Sequence, residues 1–253
     1  MKIRVLGNYG GISLDTHLSS FLINDSLLLE TGAAASALSL EEQKKIKDIL
    51  VTHYHLDSIF GICFIADNLA CVNSSVNVYC IKEVLETIKK HILNNEIWPD
   101  FTKIPSPENP TLRLKEITEG EVINVSRMEV IPVRVEHTVA AVGYILRDNK
   151  GAVVFSGESS PTNRIWDYAK REKRLKAIII ESAFPDSQEE LARRSGHLIP
   201  KDLPGELEKL GNPNIPVLLH NFKPEYAEEI KKDVLKLEIK NIDFIEKDKI
   251  YEF

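Results

Sequence analysis

Cysteine is scarce in this 253-residue sequence, and the few cysteines form no motif. There are three, Cys63, Cys71 and Cys80, an odd number without a C-x-x-C pair. A secreted protein held together by disulfides would need an even and usually larger set. The cysteines therefore indicate a reducing compartment, and we expect a cytoplasmic protein.

The sequence also lacks a basic excess and any long apolar run. Its 38 acidic residues outnumber 32 Lys and Arg, which gives a net charge of −6. General nucleic-acid and membrane-surface proteins are normally basic. No apolar run reaches transmembrane length, and the opening M-K-I-R-V-L-G contains no stretch typical of a signal peptide. We therefore expect neither a nucleic-acid polymer nor a membrane among the partners.

The sequence contains short apolar runs that alternate with amphipathic segments, a pattern that predicts strands and helices in turn. Its length and 43% hydrophobic content predict one α/β domain spanning residues 1–253. The apolar runs predict strands at residues 2–6, 20–23, 26–30, 48–52, 76–80, 129–136, 143–147, 152–156, 177–181 and 217–220. Helical periodicity predicts helices at residues 39–47, 81–93, 161–171, 200–210 and 224–235. A closing hairpin is expected from residues 242–245 and 250–253, and a surface loop from the proline-rich segment 98–110.

The stretch V-T-H-Y-H-L-D-S at residues 51–58 has the spacing of a metal-binding loop. His53 and His55 alternate directly after an apolar run, and Asp57 follows two residues later. Alternate residues of an extended backbone point to the same side, so both imidazoles can reach one ion. The carboxylate would approach from the turn that follows.

Four further residues with chemically active side chains end predicted strands. His137 ends I-P-V-R-V-E-H, Glu158 ends V-V-F-S-G-E, Glu181 ends A-I-I-I-E and His220 ends P-V-L-L-H. Taken singly, a strand-terminal histidine is more often a hydrogen-bonded residue than a ligand. The repeated coincidence predicts a site that collects its ligands along one edge of a sheet.

The order of these motifs resembles a known fold family. T-H-Y-H-L-D, His137, S-G-E and L-L-H-N-F-K-P together resemble the metallo-β-lactamase fold, a four-layer αββα sandwich of two facing mixed sheets. G-I-S-L-D-T-H-L-S-S-F-L-I-N, E-S-A-F and S-G-H-L-I-P are most similar to class II 3′,5′-cyclic-nucleotide phosphodiesterases. The similarity runs from about Gly7 to Pro224.

The resemblance implies two divalent metal ions, zinc or iron, with manganese as a further option. The implied first-site ligands are His53, His55 and His137. Asp57 and His220 would bind the second ion, and Glu158 would bridge the two, where family members usually have aspartate. Such a pair of ions lowers the pKa of a bridging water, and the resulting hydroxide would attack a phosphodiester.

The resemblance also implies an acid for the leaving ribose oxygen. Glu181 would orient and charge His197, which would donate the proton. The substrate would be a cyclic nucleotide such as cyclic AMP or a similar small phosphodiester, and Asp57 would contribute to catalysis as a ligand. The resemblance further implies a homodimer.

Ser58 departs from the family pattern, because a third histidine normally occupies that position. A hydroxyl is a poor ligand for zinc or iron, and three hypotheses follow. The protein is a hydrolase with altered metal preference, or a diiron oxygen-active or redox protein, or a non-enzymatic sensing module with one metal. His55 argues against the diiron protein, whose relatives usually have glutamate there. A transfer-RNA 3′ nuclease would need a long basic arm that this chain lacks.

Overall fold

Two mixed β-sheets of seven strands each form the centre of the computed structural model, which describes residues 1–212 and 214–253. The strands of the first sheet are, in order across it, β14 (Ile250–Glu252), β1 (Lys2–Gly7), β2 (Ser20–Ile23), β3 (Leu27–Thr31), β4 (Asp48–Leu50), β5 (Val76–Ile81) and β6 (Leu112–Ile117). The strands of the second sheet are, in order, β13 (Ile242–Phe244), β12 (Val217–His220), β11 (Leu175–Glu181), β10 (Ala152–Phe155), β9 (Ala141–Arg147), β8 (Met128–Val135) and β7 (Ile123–Val125). This arrangement confirms the predicted pair of mixed sheets.

Helices follow several of the strands. The α-helices of the described residues are α1 (Ala34–Ala37), α2 (Leu40–Gln43), α3 (Leu56–Ala70), α4 (Lys82–His91), α5 (Arg164–Ala169), α6 (Glu189–Ser195), α7 (Leu203–Glu208) and α8 (Ala227–Lys236). Three short 3₁₀ turns complete them, at Asp186–Gln188, Pro200–Asp202 and Pro224–Tyr226. No helix in residues 1–212 or 214–253 is both long and apolar enough to cross a membrane.

Alternation along the strands builds a core on both faces of the second sheet. On β10, Val153 and Phe155 belong to the larger hydrophobic cluster, which also contains the strands of the first sheet, whereas Val154 belongs to a second cluster with α5, α7 and α8. Successive strand side chains point to opposite faces, so one strand serves both clusters. Between the sheets, the rings of Phe21 and Phe155 meet edge to face with centroids 5.4 Å apart. The two sheets are thus packed face to face by side chains of both.

Parallel strands in each sheet bring their carboxyl ends to one edge. Strands β3 to β6 pair in parallel, as do β10 to β13. The last residues of β11 and β12, Glu181 and His220, are register partners. The loop 51–55 leaves the end of β4. Chemically active side chains from both sheets are therefore placed at adjoining edges.

Helix α3, the longest helix, packs directly on β3 and was absent from the predicted helices. A Cβ on Gly61 would lie 2.1 Å from the carbonyl oxygen of Thr31. Glycine is required here because the helix approaches the strand backbone too closely for any side chain. This contact fixes the helix whose first turn contains Asp57.

The predicted closing hairpin is wrong. Strand β13 pairs in parallel with β12 in the second sheet, and β14 pairs antiparallel with β1 in the first. The connection between them crosses from one sheet to the other, and its Ile245 is buried in the larger core cluster. Adjacent strands in sequence usually pair, but here each of them covers a different sheet edge.

Candidate metal centre

The H-x-H-x-D stretch forms the turn between β4 and α3. His55 caps the helix with an extended backbone (φ −66°, ψ 150°), and Asp57 lies in the first helical turn. His53 is fully buried, whereas His55 and Asp57 are partly exposed. The rings of His53 and His55 lie with centroids 4.7 Å apart, and the carboxylate follows them in a helix that was not predicted.

Four of the predicted ligands converge on one point. Donor atoms of His53, His55, His137 and Glu158 all lie within 4.8 Å of one another. Glu158 Oε2 is 3.6 Å from His53 Nε2 and 3.9 Å from His137 Nε2. Three imidazoles and one carboxylate are a donor set suited to zinc and to other borderline divalent ions.

The other ring nitrogens of two of these histidines are engaged by groups outside the cluster. His137 Nδ1 donates a hydrogen bond to the carbonyl oxygen of Gly196 at 2.9 Å. His53 Nδ1 lies 2.9 Å from the Thr52 hydroxyl, while its Nε2 has no hydrogen-bond partner in the part of the chain that the structure describes. Such contacts set the tautomer and leave Nε2 with a lone pair for a metal.

Burial keeps these imidazoles neutral, which is the form that binds metals. Desolvation is the largest cause that lowers the pKa of His53, His55 and His137, and the mutual repulsion of the rings adds to it. Burial likewise raises the pKa of Glu158 to about 8, with the neighbouring Asp57 carboxylate as the second cause. Buried carboxylates at this density favour a bound cation.

Asp57 and His220 lie outside the four-residue cluster and carry orphaned atoms of their own. Asp57 Oδ1 and His220 Nε2 are both buried, and neither has a hydrogen-bond partner among residues 1–212 and 214–253. His220 Nδ1 lies 3.2 Å from the Ser19 hydroxyl, and burial lowers the pKa of His220 to about 3. Unsatisfied buried polar atoms are costly, so both atoms are open to a further binding partner.

Glu181 and His197 form a buried pair beside the cluster. His197 Nδ1 lies 2.9 and 3.1 Å from the two carboxylate oxygens of Glu181, and His197 Nε2 is 3.9 Å from Glu158 Oε2. The Ser159 backbone N–H donates to the same Glu181 carboxylate at 2.9 Å. Burial lowers the pKa of His197, but the Glu181 charge and hydrogen bond outweigh it and raise that pKa. The structure thus joins two residues that are 16 apart in sequence.

Several residues around the centre were not singled out from the sequence. Thr52 and Ser19 hydroxyls contact ligand imidazoles, and Glu30 accepts a hydrogen bond from the Thr52 backbone N–H at 2.8 Å. Burial raises the pKa of Glu30 to about 7, against the opposing effect of the Ser58 and Thr52 hydroxyls. Lys223 was not singled out either, although it lies in the motif L-L-H-N-F-K-P, three residues after His220.

The two facing mixed sheets and the histidine–carboxylate centre define a protein of the metallo-β-lactamase fold with a metal site of the hydrolase type. The chain belongs to the class II cAMP phosphodiesterase family, whose model matches residues 29–224.

Known proteins agree with this assignment. The 3′,5′-cyclic-nucleotide phosphodiesterase of Schizosaccharomyces pombe is 26% identical over 215 residues, which cover 75% of this chain and 58% of that protein. The structure of unliganded yeast PDE1 has a TM-score of 0.83 at 19% identity, with 98% of each chain covered. The metallo-β-lactamase fold protein YhfI from Bacillus subtilis has a TM-score of 0.79 at 16% identity, covering 99% and 98%. The chain spans about 60% of the length of the curated relatives it matches.

Proposed function

We propose that this chain is a metal-dependent phosphodiesterase that hydrolyses a 3′,5′-cyclic nucleotide of the cyclic AMP type. The observation that carries the proposal is the position of the Glu181–His197 pair, whose imidazole Nε2 lies 3.9 Å from Glu158 of the four-residue cluster. A site for a metal and a candidate proton donor are therefore adjacent. Family membership supports the same substrate class.

The donor atoms of the chain would hold two divalent ions, zinc or iron. His53, His55, His137 and Glu158 would bind the first, and Glu158 would be shared with a second at Asp57 and His220. When bound, such ions activate water as a nucleophile and neutralise charge on the phosphoryl oxygens. The orphaned Asp57 Oδ1 and His220 Nε2 support the second position.

His197 would act on the leaving group. Its Nδ1 is engaged by Glu181, so the proton available to the substrate is the one on Nε2. As a water oxygen bonds to phosphorus and the bond from phosphorus to the 3′ oxygen breaks, that oxygen takes the Nε2 proton and becomes a hydroxyl. The proton that the water loses passes to solvent, from which the imidazole is protonated again. The Glu181 carboxylate stabilises the charged imidazole before transfer and orients its ring.

The proposal has two further parts, which are supported by composition and by the family resemblance. We propose that the protein acts in the cytoplasm on a small phosphodiester rather than on a nucleic-acid polymer. We also propose that it forms a homodimer, which size-exclusion chromatography with light scattering would test.

Elemental analysis and cyclic AMP hydrolysis on the same sample would test the function. We expect two metal equivalents and turnover that is lost in His53→Ala but retained in His91→Ala, a control that removes an exposed histidine at the end of α4. Two equivalents of iron without hydrolysis would replace the proposal with a redox protein. One equivalent without hydrolysis would indicate a sensing module.

A further inference from the structure

An anionic substrate needs positively charged or hydrogen-bond-donating groups, and the buried ligand residues of the centre do not supply enough of them. A phosphodiester carries a negative charge, yet the three clustered imidazoles are neutral and the neighbouring acidic side chains are carboxylates. A protein normally holds phosphoryl oxygens with charged donors as well as with metal. Lys223, half-buried and three residues beyond His220, is a cation placed close to this centre.

The backbone around Lys223 is fixed by hydrogen bonds. Its N–H donates to the carbonyl oxygen of Ala183 at 3.0 Å, next to the end of β11. The residue then opens the 3₁₀ turn Pro224–Tyr226. Lys223 is therefore attached to the same strand ends that supply Glu181 and His220, and it does not lie on a free loop.

The ammonium group is also held in place. Lys223 Nζ donates to the carbonyl oxygen of Gly10 at 2.7 Å. A Cβ on Gly10 would lie 2.9 Å from that Nζ and 2.8 Å from Asn221 Oδ1. The absence of a side chain at position 10 thus leaves the room that the ammonium occupies.

The ammonium lies on the side of the centre that contains His220. The position that its Nζ contacts, Gly10, also adjoins Asn221 Oδ1. That amide oxygen accepts a hydrogen bond from the Ser19 hydroxyl at 3.5 Å, and the same hydroxyl lies 3.2 Å from His220 Nδ1. A short series of polar contacts therefore connects the ammonium with the imidazole of His220.

The ammonium group of Lys223 keeps hydrogen-bond donors that could bind a ligand. An ammonium has three N–H donors, and the Gly10 carbonyl takes one. Within residues 1–212 and 214–253, no carboxylate oxygen lies within 4.0 Å of Lys223 Nζ, in contrast to many other lysines of the chain. Two donors and an uncompensated charge therefore remain for a ligand.

We propose that Lys223 is a substrate-binding residue that donates to a non-bridging phosphoryl oxygen of the phosphodiester and of its product. The inference rests on the proposed function of the same site and adds to it the residue that selects an anionic substrate.

The binding of 5′-AMP to the metal-loaded protein, measured by calorimetry, tests this role without requiring turnover. Hydrogen bonds to charged groups are strong enough that Lys223→Met should weaken 5′-AMP binding by about tenfold to a hundredfold. Lys223→Arg should restore most of the affinity, and all variants should keep the metal content of the parent. Lys82→Met is the control, because it removes one positive charge from the exposed face of α4.

The outcomes separate this inference from the proposed function. Unchanged 5′-AMP affinity in Lys223→Met, or undetectable binding to the parent protein, would overturn the role of Lys223. A parallel loss of metal and 5′-AMP would overturn it too, because it would show a structural role; Lys223→Gln provides a second variant if Lys223→Met fails to fold. If the parent binds 5′-AMP through Lys223 but hydrolyses no cyclic nucleotide, the phosphate contact stands and the proposed function fails.

Discussion

The Ser58 hydroxyl lies 3.4 Å from His53 Nδ1, the ring nitrogen that does not face Glu158. Ser58 is buried, and its carbonyl oxygen accepts a hydrogen bond from the Thr31 hydroxyl at 2.7 Å. The serine that departs from the family pattern therefore contacts the outer side of a first-site imidazole. We therefore expect Ser58 to influence metal binding through the orientation of the His53 ring.

Removing the hydroxyls behind His53 should weaken metal binding unequally. Thr52 Oγ1 is at 2.9 Å from Nδ1 and Ser58 Oγ at 3.4 Å, so the threonine makes the stronger contact. We expect Thr52→Val, which preserves shape, to lower first-metal affinity by about tenfold to a hundredfold, and Ser58→Ala to lower it by less. Competition with a chromophoric chelator measures both. Equal losses would mean that Ser58 supports the ring as strongly as Thr52 does.

Glu181 and His197 should act as one unit in turnover. We expect His197→Ala to lower kcat by about 10²- to 10⁴-fold, the usual contribution of a positioned acid, and Glu181→Gln to lower it substantially by removing the charge that orients the ring. The double variant should be little worse than His197→Ala alone, because Glu181 acts through the imidazole. Steady-state kinetics measures kcat for the three variants, with metal content determined on the same samples. If the loss in the double variant equalled the product of the two single losses, the two residues would not act as one unit.

The indole of Trp166 should matter for stability and not for metal binding. Its Nε1 donates to buried Glu206 at 2.6 Å, whereas Trp98 Nε1 donates to a backbone carbonyl at 3.2 Å in a less buried setting. Trp166→Phe leaves a buried carboxylate short of a donor, so we expect the free energy of unfolding to fall by about 1–3 kcal/mol. Trp98→Phe is the matched variant and should cost less. Urea unfolding gives both values, and the reverse order would refute the assignment.

The three cysteines should differ in reactivity. Burial raises the pKa of Cys63 to about 11 and that of Cys80 to about 12, while Cys71 is exposed. Because the thiolate is the reactive form, a disulfide reagent at pH 8 should label one thiol quickly in the native protein. Cys71→Ser should abolish that fast phase, and unfolding should release the remainder. A fast phase that persists in this variant would place the reactive thiol elsewhere.

The sequence predicted the strands better than the helices, and particular residues explain the difference. Strands β2 and β12 are short apolar runs bounded by polar residues, and both were predicted at their observed bounds. Helix α3 contains the nearly continuous apolar stretch I-F-G-I-C-F-I-A, so it shows little periodicity to predict a helix. Strand β6, L-R-L-K-E-I, lies at a sheet edge, where charged side chains interrupt the apolar pattern.

The sequence indicated which residues gather at the site. It did not indicate which neighbouring groups hold those residues in place. Strand-terminal positions indicated His137, Glu181 and His220, because carboxyl ends of parallel strands share an edge. The carbonyl of Gly196 and the ammonium of Lys223 reach the centre only through tertiary packing. Both lie in motifs that carry the family resemblance, S-G-H-L-I-P and L-L-H-N-F-K-P, but residue type and spacing alone do not show what their backbone or side chain contacts.

The four clustered donors come from both halves of the molecule. His53 and His55 follow a strand of the first sheet, and His137 and Glu158 follow strands of the second. Neither sheet alone offers more than two of these donors, so high-affinity capture of the ion must await the meeting of the two. We therefore expect metal uptake to occur late in refolding. The signal of a metal-sensitive dye should then report the time at which the two sheets dock.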